Sequence, residues 1–477
     1  MTFTCRGRGF GFAAICGAWM LVAGIMAAGC GSDSGGGPVI TTGGGQIHNV
    51  ATGQGLIAID DKDQIAVAPI FTLDGNGNAQ VAIIDLTQLT FAANEKLDWW
   101  RSPKMFASFL EGQLFPEAYA TPNPLKGLVS LIGTTFPVAA AYDSVHDKIL
   151  VEASLASTTG AVTIYQLDPG GVVDNTIPAP GLTQTGAFGF GGIVFDPVHN
   201  RAVVGGGSQL GLLNTAANPP TWDQTTVTDI ECTDSFSLNV NTQTLFDACD
   251  GTNNLVNTSH FGAPLPVTSF QSTFGTTDGT AFDSTTNIVG TDPEFQDVTR
   301  VFNFSNLNTG ATPATAPEVN VPGLGTTGLV GEGPGGQLTG NTVTHQLFVL
   351  DEFGENYRLI QLPKSKINGA LDNNGQPGTS TTPDAASAYT ISAGVLPMVT
   401  DKMSNPSHLE AVGDPNSATL DQNSDHVFLL ATDDTCQLWL VVVDLNNPPL
   451  GACVSCGTHW TPPTSTVLLS TTDDICG

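Results

Sequence analysis

Apolar and polar positions alternate in short runs along most of the chain, and one recurring phrase punctuates these runs. An apolar residue is followed by Asp or Asn, then by a polar turn of three or four residues, then by an apolar pair or an apolar/polar alternation. The clearest copies are Tyr142-Asp143-Ser144-Val145-His146-Asp147-Lys148-Ile149-Leu150, Phe195-Asp196-Pro197-Val198-His199-Asn200-Arg201-Ala202-Val203 and Leu420-Asp421-Gln422-Asn423-Ser424-Asp425-His426-Val427-Phe428. Weaker copies start at Asp60, Asn239, Asp283 and Asn341, which makes seven in all. Asp and Asn side chains close tight turns by bonding to their own backbone, and the flanking runs are rich in Val, Ile, Phe and Leu. Each copy therefore predicts a hairpin between two strands. In most copies another apolar strand follows, at 81–84, 162–167, 301–304, 359–362 and 438–443.

The closest copies start 43 and 44 residues apart, which is the length of one four-stranded blade. Blades arranged radially give an all-β fold, a β-propeller, here of six to eight four-stranded blades with seven preferred. An array of two or three β-sandwich domains is the alternative; it accommodates the uneven gaps but explains the shared phrase less well. The segment Val194-Phe195-Asp196-Pro197-Val198-His199-Asn200-Arg201-Ala202-Val203-Val204 resembles the repeat of the YVTN/NHL-like β-propellers. That superfamily is broad and its members are mostly secreted or periplasmic, so the resemblance implies a propeller over residues 50–450 and export from the cytoplasm.

Two stretches interrupt the pattern. Residues 89–137 contain Ser102, an N-cap residue, followed by Pro103 at a first helical position, with Met105, Phe106, Phe109 and Leu110 on one face. They predict a short helical insertion that shields a blade or, alternatively, serves as a lid or docking helix. Residues 365–417, with Asn373-Asn374-Gly375, Pro377 and Pro383, predict an irregular excursion.

The first 29 residues carry Arg6 and Arg8, no acidic residue, and an apolar stretch from Phe10 to Ala28. They end in Ala27-Ala28-Gly29 before Cys30, which is the build of an export signal. The segment resembles a bacterial lipoprotein signal peptide, with Ala27 where Leu is usual, and the resemblance implies cleavage before Cys30 and lipidation of that cysteine. An uncleaved membrane anchor is the alternative. Residues 30–45 then form a flexible tether and 46–477 the propeller domain. By analogy with Gram-negative sorting, Gly31 in place of Asp after the cysteine favours the outer membrane. The mature chain has 12 basic and 44 acidic residues, a net charge of −32, which disfavours nucleic acid as a partner. Only 12% of residues are charged, about half the usual share.

With Cys5 and Cys16 in the signal and Cys30 lipidated, six cysteines remain. Exported proteins keep disulfides, and proximity suggests Cys232 with Cys249 and two bridges among Cys436, Cys453, Cys456 and Cys476. A zinc site formed by the last four lacks two close ligand pairs. A c-type haem is excluded because Gly457, not His, follows Cys456.

Candidate chemistry is sparse. Asp74, Asn76 and Asn78 have the spacing of calcium-ligand oxygens, with Asp85 at the twelfth position. Ala79 stands where such a loop wants Gly, and a plain Asn-Gly hairpin is the competing reading. His146, His199, His345 and His426 lie in the repeated turns, where convergence on a central channel would make a metal or acid/base site. Placement in turns between outer strands, far from the axis, is the plainer expectation. G-x-S-x-G, H-E-x-x-H and a P-loop are all missing, and the Gly-rich run 186–192 lacks a following helix.

These features point to a lipid-anchored cell-envelope propeller acting as a binding or scaffolding module for a protein or polysaccharide, with no cofactor expected. An envelope hydrolase or lactonase-like propeller enzyme using Asp or His residues around the channel, with or without Ca²⁺, is the alternative, and a structural surface-layer component is a third reading.

Overall fold

A computed structural model describes residues 57–471 apart from internal segments, the longest being 92–122, 304–317, 323–335, 363–389 and 447–461. The described chain is almost entirely β. Six antiparallel four-stranded sheets follow one another along it, and within each the strands are hydrogen-bonded in chain order. The first comprises Ala58–Asp60, Ile65–Ile70, Ala79–Asp85 and Leu125–Leu131, and the second Phe136–Asp143, Lys148–Ser154, Gly160–Leu167 and Val173–Gln184. The third holds Gly191–Asp196, Arg201–Gly206, Gln209–Asn214 and Thr221–Gln224; the fourth holds Ser235–Asn239, Thr244–Ala248, Thr252–Asn257 and Val267–Gln271. The fifth is Thr277–Asp283, Ile288–Pro293, Val298–Asn303 and Glu318–Pro322, and the sixth Gly336–Asn341, Gln346–Asp351, Asn356–Gln361 and Thr390–Val395.

First strands of successive sheets lie against one another, so the first strand of each is the innermost and the sheets are the blades of a β-propeller. A two-stranded ribbon, Val399–Thr400 with Pro406–Ser407, follows the sixth blade. The last sheet contains five strands: Leu409–Ala411, Thr419–Asp421, His426–Asp433, Leu438–Asp444 and Thr464–Ser470.

Burial explains the composition of the strands. A blade is covered on both faces by its neighbours, so a strand inside it reads as a continuous apolar run. Ile65–Ile70 is buried at every position. Ala66, Ala68 and Ile70 enter one core cluster, which includes Phe428, Leu440 and Val467 of the last sheet. Their neighbours Ile65 and Val67 turn the other way, to Tyr142, Ile149 and Val151 of the second blade. The same cluster that holds Ala66 thus joins the first blade to the last sheet. Ile57 N donates to Thr419 Oγ1 at 3.3 Å, and Phe91 packs on His426 with ring centroids 4.7 Å apart.

All seven predicted phrases begin at the end of an inner strand. Asp60, Asp143, Asp196, Asn239, Asp283, Asn341 and Asp421 are each the last residue of one. The apolar strands predicted to follow are the third strands of the first, second, fifth and sixth sheets and the Leu438–Asp444 strand of the last. Residues 89–137 and 365–417 are less irregular than their sequences suggest, for both stretches end in strands. Leu125–Leu131 completes the first blade and Thr390–Val395 the sixth, each held by the ladder to its third strand. The predicted helix around Ser102 and Pro103 lies outside the described residues, as do residues 1–56 with the signal, Cys30 and the tether.

Candidate functional site

The repeated phrase builds one face of the propeller. Asp60, Asp143, Asp196, Asn239 and Asp421 each turn the side chain back onto the next residues. Asp143 Oδ1 accepts from Val145 N and His146 N at 3.1 and 3.0 Å, and Asp196 Oδ1 accepts from Val198 N and His199 N at 3.0 and 3.3 Å. Asp60 Oδ1 and Asn239 Oδ1 cap their turns in the same way. The residue just before the second strand is left-handed in six of the turns: Gln64, Asp147, Asn200, Gln243, His345 and Asp425, with φ between 52° and 58°. Polar residues tolerate that conformation where a branched apolar one does not, so the turn is specified without glycine.

These turns join the innermost strand to the second, which corrects the expectation that they lie between outer strands far from the axis. Their side chains reach across blade boundaries. His345 Nδ1 of the sixth blade is 2.7 Å from Asp283 Oδ2 of the fifth. Arg201, wholly buried, bonds Asp196 Oδ2 with Nε at 3.2 Å and reaches Gln243 Oε1 and the Thr258 carbonyl in the fourth blade. Between the first two blades Lys62 pairs with Asp147, whose other oxygen accepts from the Tyr142 hydroxyl at 2.9 Å. Burial opposes ionisation of Asp147, but those two partners hold its carboxyl below the usual range. At the seam between the first blade and the last sheet, Asn423 Nδ2 donates to Asp61. Burial, followed by the facing Asp421 carboxylate, pushes Asp61 up to about 8.

The four candidate histidines do not converge. His146 and His199 occupy the same turn position, and each binds the capping Asp of its own turn, at 2.8 and 3.0 Å. His345 takes the left-handed position and bonds across a boundary. His426 opens a strand, with Nε2 3.8 Å from Asp444 Oδ1, and burial lowers its pKa.

The calcium candidates are likewise separated. Asp74 Oδ1 accepts from Asn76 N and Asn78 N at 2.8 and 2.9 Å, and Asn78 Nδ2 donates to both Asp74 oxygens. Bonds from Asn78 hold the Asp74 carboxyl well below its ordinary range. Asp85 stands at the far end of the Ala79–Asp85 strand, capping residues 86–88 through Thr87. The structure does not bring it to Asp74. The same backbone turn recurs at Asp168, Asp401 and Asp433, each accepting from the N–H three residues on and donating to the carbonyl four residues on. Cys436 holds the left-handed position of the Asp433 turn, with φ 58°. It is a free thiol, so no predicted bridge forms among the described residues, and Cys232, Cys249, Cys453, Cys456 and Cys476 lie outside them.

Beside these turns, a cleft of about 540 Å³ opens between the second and third blades. One wall presents His146, Lys148, Gln166, Asp174 and Asn175, and the other is the loop 215–218. Its charges are balanced, with Lys148 Nζ 2.7 Å from Asp174 Oδ2, while Asn175 Nδ2 donates to Gln166 Oε1 at 2.6 Å. Nothing in the chain's linear pattern marked this cleft, because its walls come from separate blades.

Neither a protein-family model nor a curated protein matches the chain. Among solved structures it is similar to a hypothetical selenium-binding protein from Sulfolobus tokodaii, at 9% identity and TM-score 0.46, covering 85% of this chain and 92% of that one. It is also similar to the periplasmic gluconolactonase of Pseudomonas aeruginosa, at 9% identity and TM-score 0.41, over 65% of this chain and 82% of that one. For the β-propeller domain of Myceliophteria thermophila Cps50 (Swd1) the values are 8%, 0.40, 81% and 97%. Identity and superposition are too low to transfer any residue role to this chain.

Proposed function

We propose that this chain is a lipid-anchored cell-envelope β-propeller of seven blades that acts as a binding or scaffolding module for a neutral polar partner, a protein or a polysaccharide. The last sheet supports that blade count. Leu409–Ala411 and Thr419–Asp421 pair with opposite ends of one edge of His426–Asp433, so they are two halves of a single inner strand, and the sheet is a seventh four-stranded blade. Ala27-Ala28-Gly29-Cys30 and the Gly/Ser-rich residues after it support the anchor, and Gly31 supports the outer membrane.

The cleft between the second and third blades carries the binding reading. In a chain with a net charge of −30, it is a charge-balanced recess lined by amide, imidazole and ion-paired groups, which suits hydrogen bonding to an uncharged polar chain. The hydrolase alternative draws no specific support from the described residues. Crosslinking in intact cells, with affinity capture and mass spectrometry, tests the proposal together with a glycan array probed by purified protein. A stoichiometric partner whose binding weakens about tenfold or more in the Gln166→Ala, Asn175→Ala double variant is the expected result, given that two lost hydrogen bonds are worth about 1–3 kcal/mol. Capture of the monomer alone, with no glycan bound, overturns it. Cys30→Ala protein is expected to leave the membrane fraction, and its retention in washed membranes overturns the anchor.

A further inference from the structure

The boundary between the first and second blades carries a group of oxygens that the binding reading does not use. Asp60, Asp63 and Asp147 each place a carboxylate oxygen within 4.8 Å of the others. Two come from the turn of the first blade and the third from the turn of the second. Asp60 is 1% exposed. Its Oδ1 is occupied by its own turn, accepting from Lys62 N at 2.9 Å and Asp63 N at 3.1 Å. Its Oδ2 is buried with no hydrogen-bond partner. The Tyr142 hydroxyl lies beside Asp60 and donates to Asp147 Oδ1 at 2.9 Å. A buried carboxylate oxygen without a donor is costly, and a cation is the partner that three converging carboxylates favour.

Lys62 meets only part of that demand. Its ammonium pairs with Asp147, and its side chain is 55% exposed, so it is a surface group that water can take back at small cost. Three carboxylates against one ammonium leave a local excess of two negative charges. All the candidate ligands are oxygens, with no imidazole or thiol among them, which selects a hard divalent ion. Three carboxylates drawn from two separate turns, with water completing the shell, match Ca²⁺, which takes six to eight oxygens at loosely set angles, better than Mg²⁺.

We propose that Asp60, Asp63 and Asp147 form a Ca²⁺ site that clamps the first blade to the second, with Lys62 displaced on binding. This site is distinct from the Asp74 turn, whose carboxylate is taken up by its own backbone and Asn78. It lies at the opposite boundary of the second blade from the cleft, whose His146 and Lys148 flank Asp147 in the chain.

The test is calorimetric titration of chelator-treated full-length protein with CaCl₂, alongside thermal unfolding at each concentration. The proposal expects one ion per chain, with a dissociation constant on the order of 10⁻⁴ to 10⁻³ M, the range of loosely built extracellular sites, and a melting temperature that rises with Ca²⁺. Asp63→Asn changes an exposed side chain, and Asp147→Asn keeps a residue that tolerates the left-handed backbone, so both variants fold. Each is expected to weaken binding at least about tenfold, the equivalent of one lost charge-assisted contact. Lys62→Ala is expected to bind Ca²⁺ more tightly, and Asp74→Asn to bind it as the unaltered protein does. Absence of saturable heat and of any melting shift overturns the proposal, as does undiminished binding in both Asp63→Asn and Asp147→Asn. Weaker binding in Lys62→Ala overturns the displacement.

Discussion

Arg201 and Asp196 form an ion pair in which neither side chain is exposed, with Nε donating to Oδ2 across 3.2 Å. The Asp caps the turn of the third blade, and the Arg carries the contact onward to Gln243 and Thr258 of the fourth. One guanidinium therefore satisfies a capping carboxylate and links two blades. Arg201→Met leaves Asp196 buried without its cation, a change that costs about 3–5 kcal/mol. Arg201→Lys is expected to recover less than half of this, because one ammonium cannot present separate N–H groups to three acceptors spread over two blades. Urea unfolding of the three proteins measures both effects.

Gly211 in the third blade is needed for a close approach. A Cβ there would stand 2.6 Å from Leu182 Cδ1 and 2.8 Å from Trp222 Cζ3, and the indole is held in place by its bond to the Pro178 carbonyl at 2.8 Å. Gly211→Ala is expected to destabilise the protein by about 1–3 kcal/mol, the usual cost of overpacking. Trp222→Leu should absorb part of the clash, so the double variant loses less than the sum of the two singles. Denaturation midpoints of all four proteins close that cycle.

Much of the repeat was legible because its chemistry is local. Asp143 and Asp196 announce their turns through the residues immediately after them, and apolar runs such as Ile65–Ile70 announce burial on two faces. Distant juxtapositions left no such mark. Asn423 meets Asp61 across 362 residues, and Lys62 meets Asp147 only because two separate turns share a rim. The position of the turns near the axis was equally invisible, since the same hairpin sequence serves an inner or an outer pair of strands. Gln64 and Gln243 show a subtler gap. Both are left-handed where a sequence reading looks for glycine or asparagine, because the Asp or Asn cap and the ladder on either side over-determine the turn.

The seam between first blade and last sheet predicts a pH dependence. Asp61 is half-buried beside Asp421, and its carboxyl is raised to about 8 by burial first and by that neighbour second. A carboxyl whose pKa is higher folded than unfolded binds its proton more tightly in the native state. Its contribution is complete below the unfolded value near 4 and is lost as pH rises through about 8. Stability is therefore expected to fall between pH 5 and pH 9, and Asp61→Asn to flatten that slope. A chemical denaturation series across this range measures it, and an equal slope in the variant removes Asp61 from the account.

Glu152 makes the same argument without a neighbouring charge. It lies in the second strand of the second blade, wholly buried, with no side-chain partner for its carboxylate. Burial raises its pKa well above the ordinary value, while the Gly192 backbone N–H of the next blade exerts a smaller opposing pull. The native state thus holds a proton that the unfolded chain releases near pH 4.5, so each step of alkalinisation above that point favours unfolding. Glu152→Gln cannot ionise and is expected to match the unaltered protein in mild acid but exceed it in stability at neutral pH and above. Glu152→Leu also removes the unpaired polar atoms, and the gain expected at pH 7 is about 1–4 kcal/mol, as when buried charged groups give way to apolar ones of similar volume. Loss of stability in both variants at every pH would mean that the carboxyl has a partner in the folded protein, and hydrogen exchange at Gly192 would then show which state of Glu152 it protects.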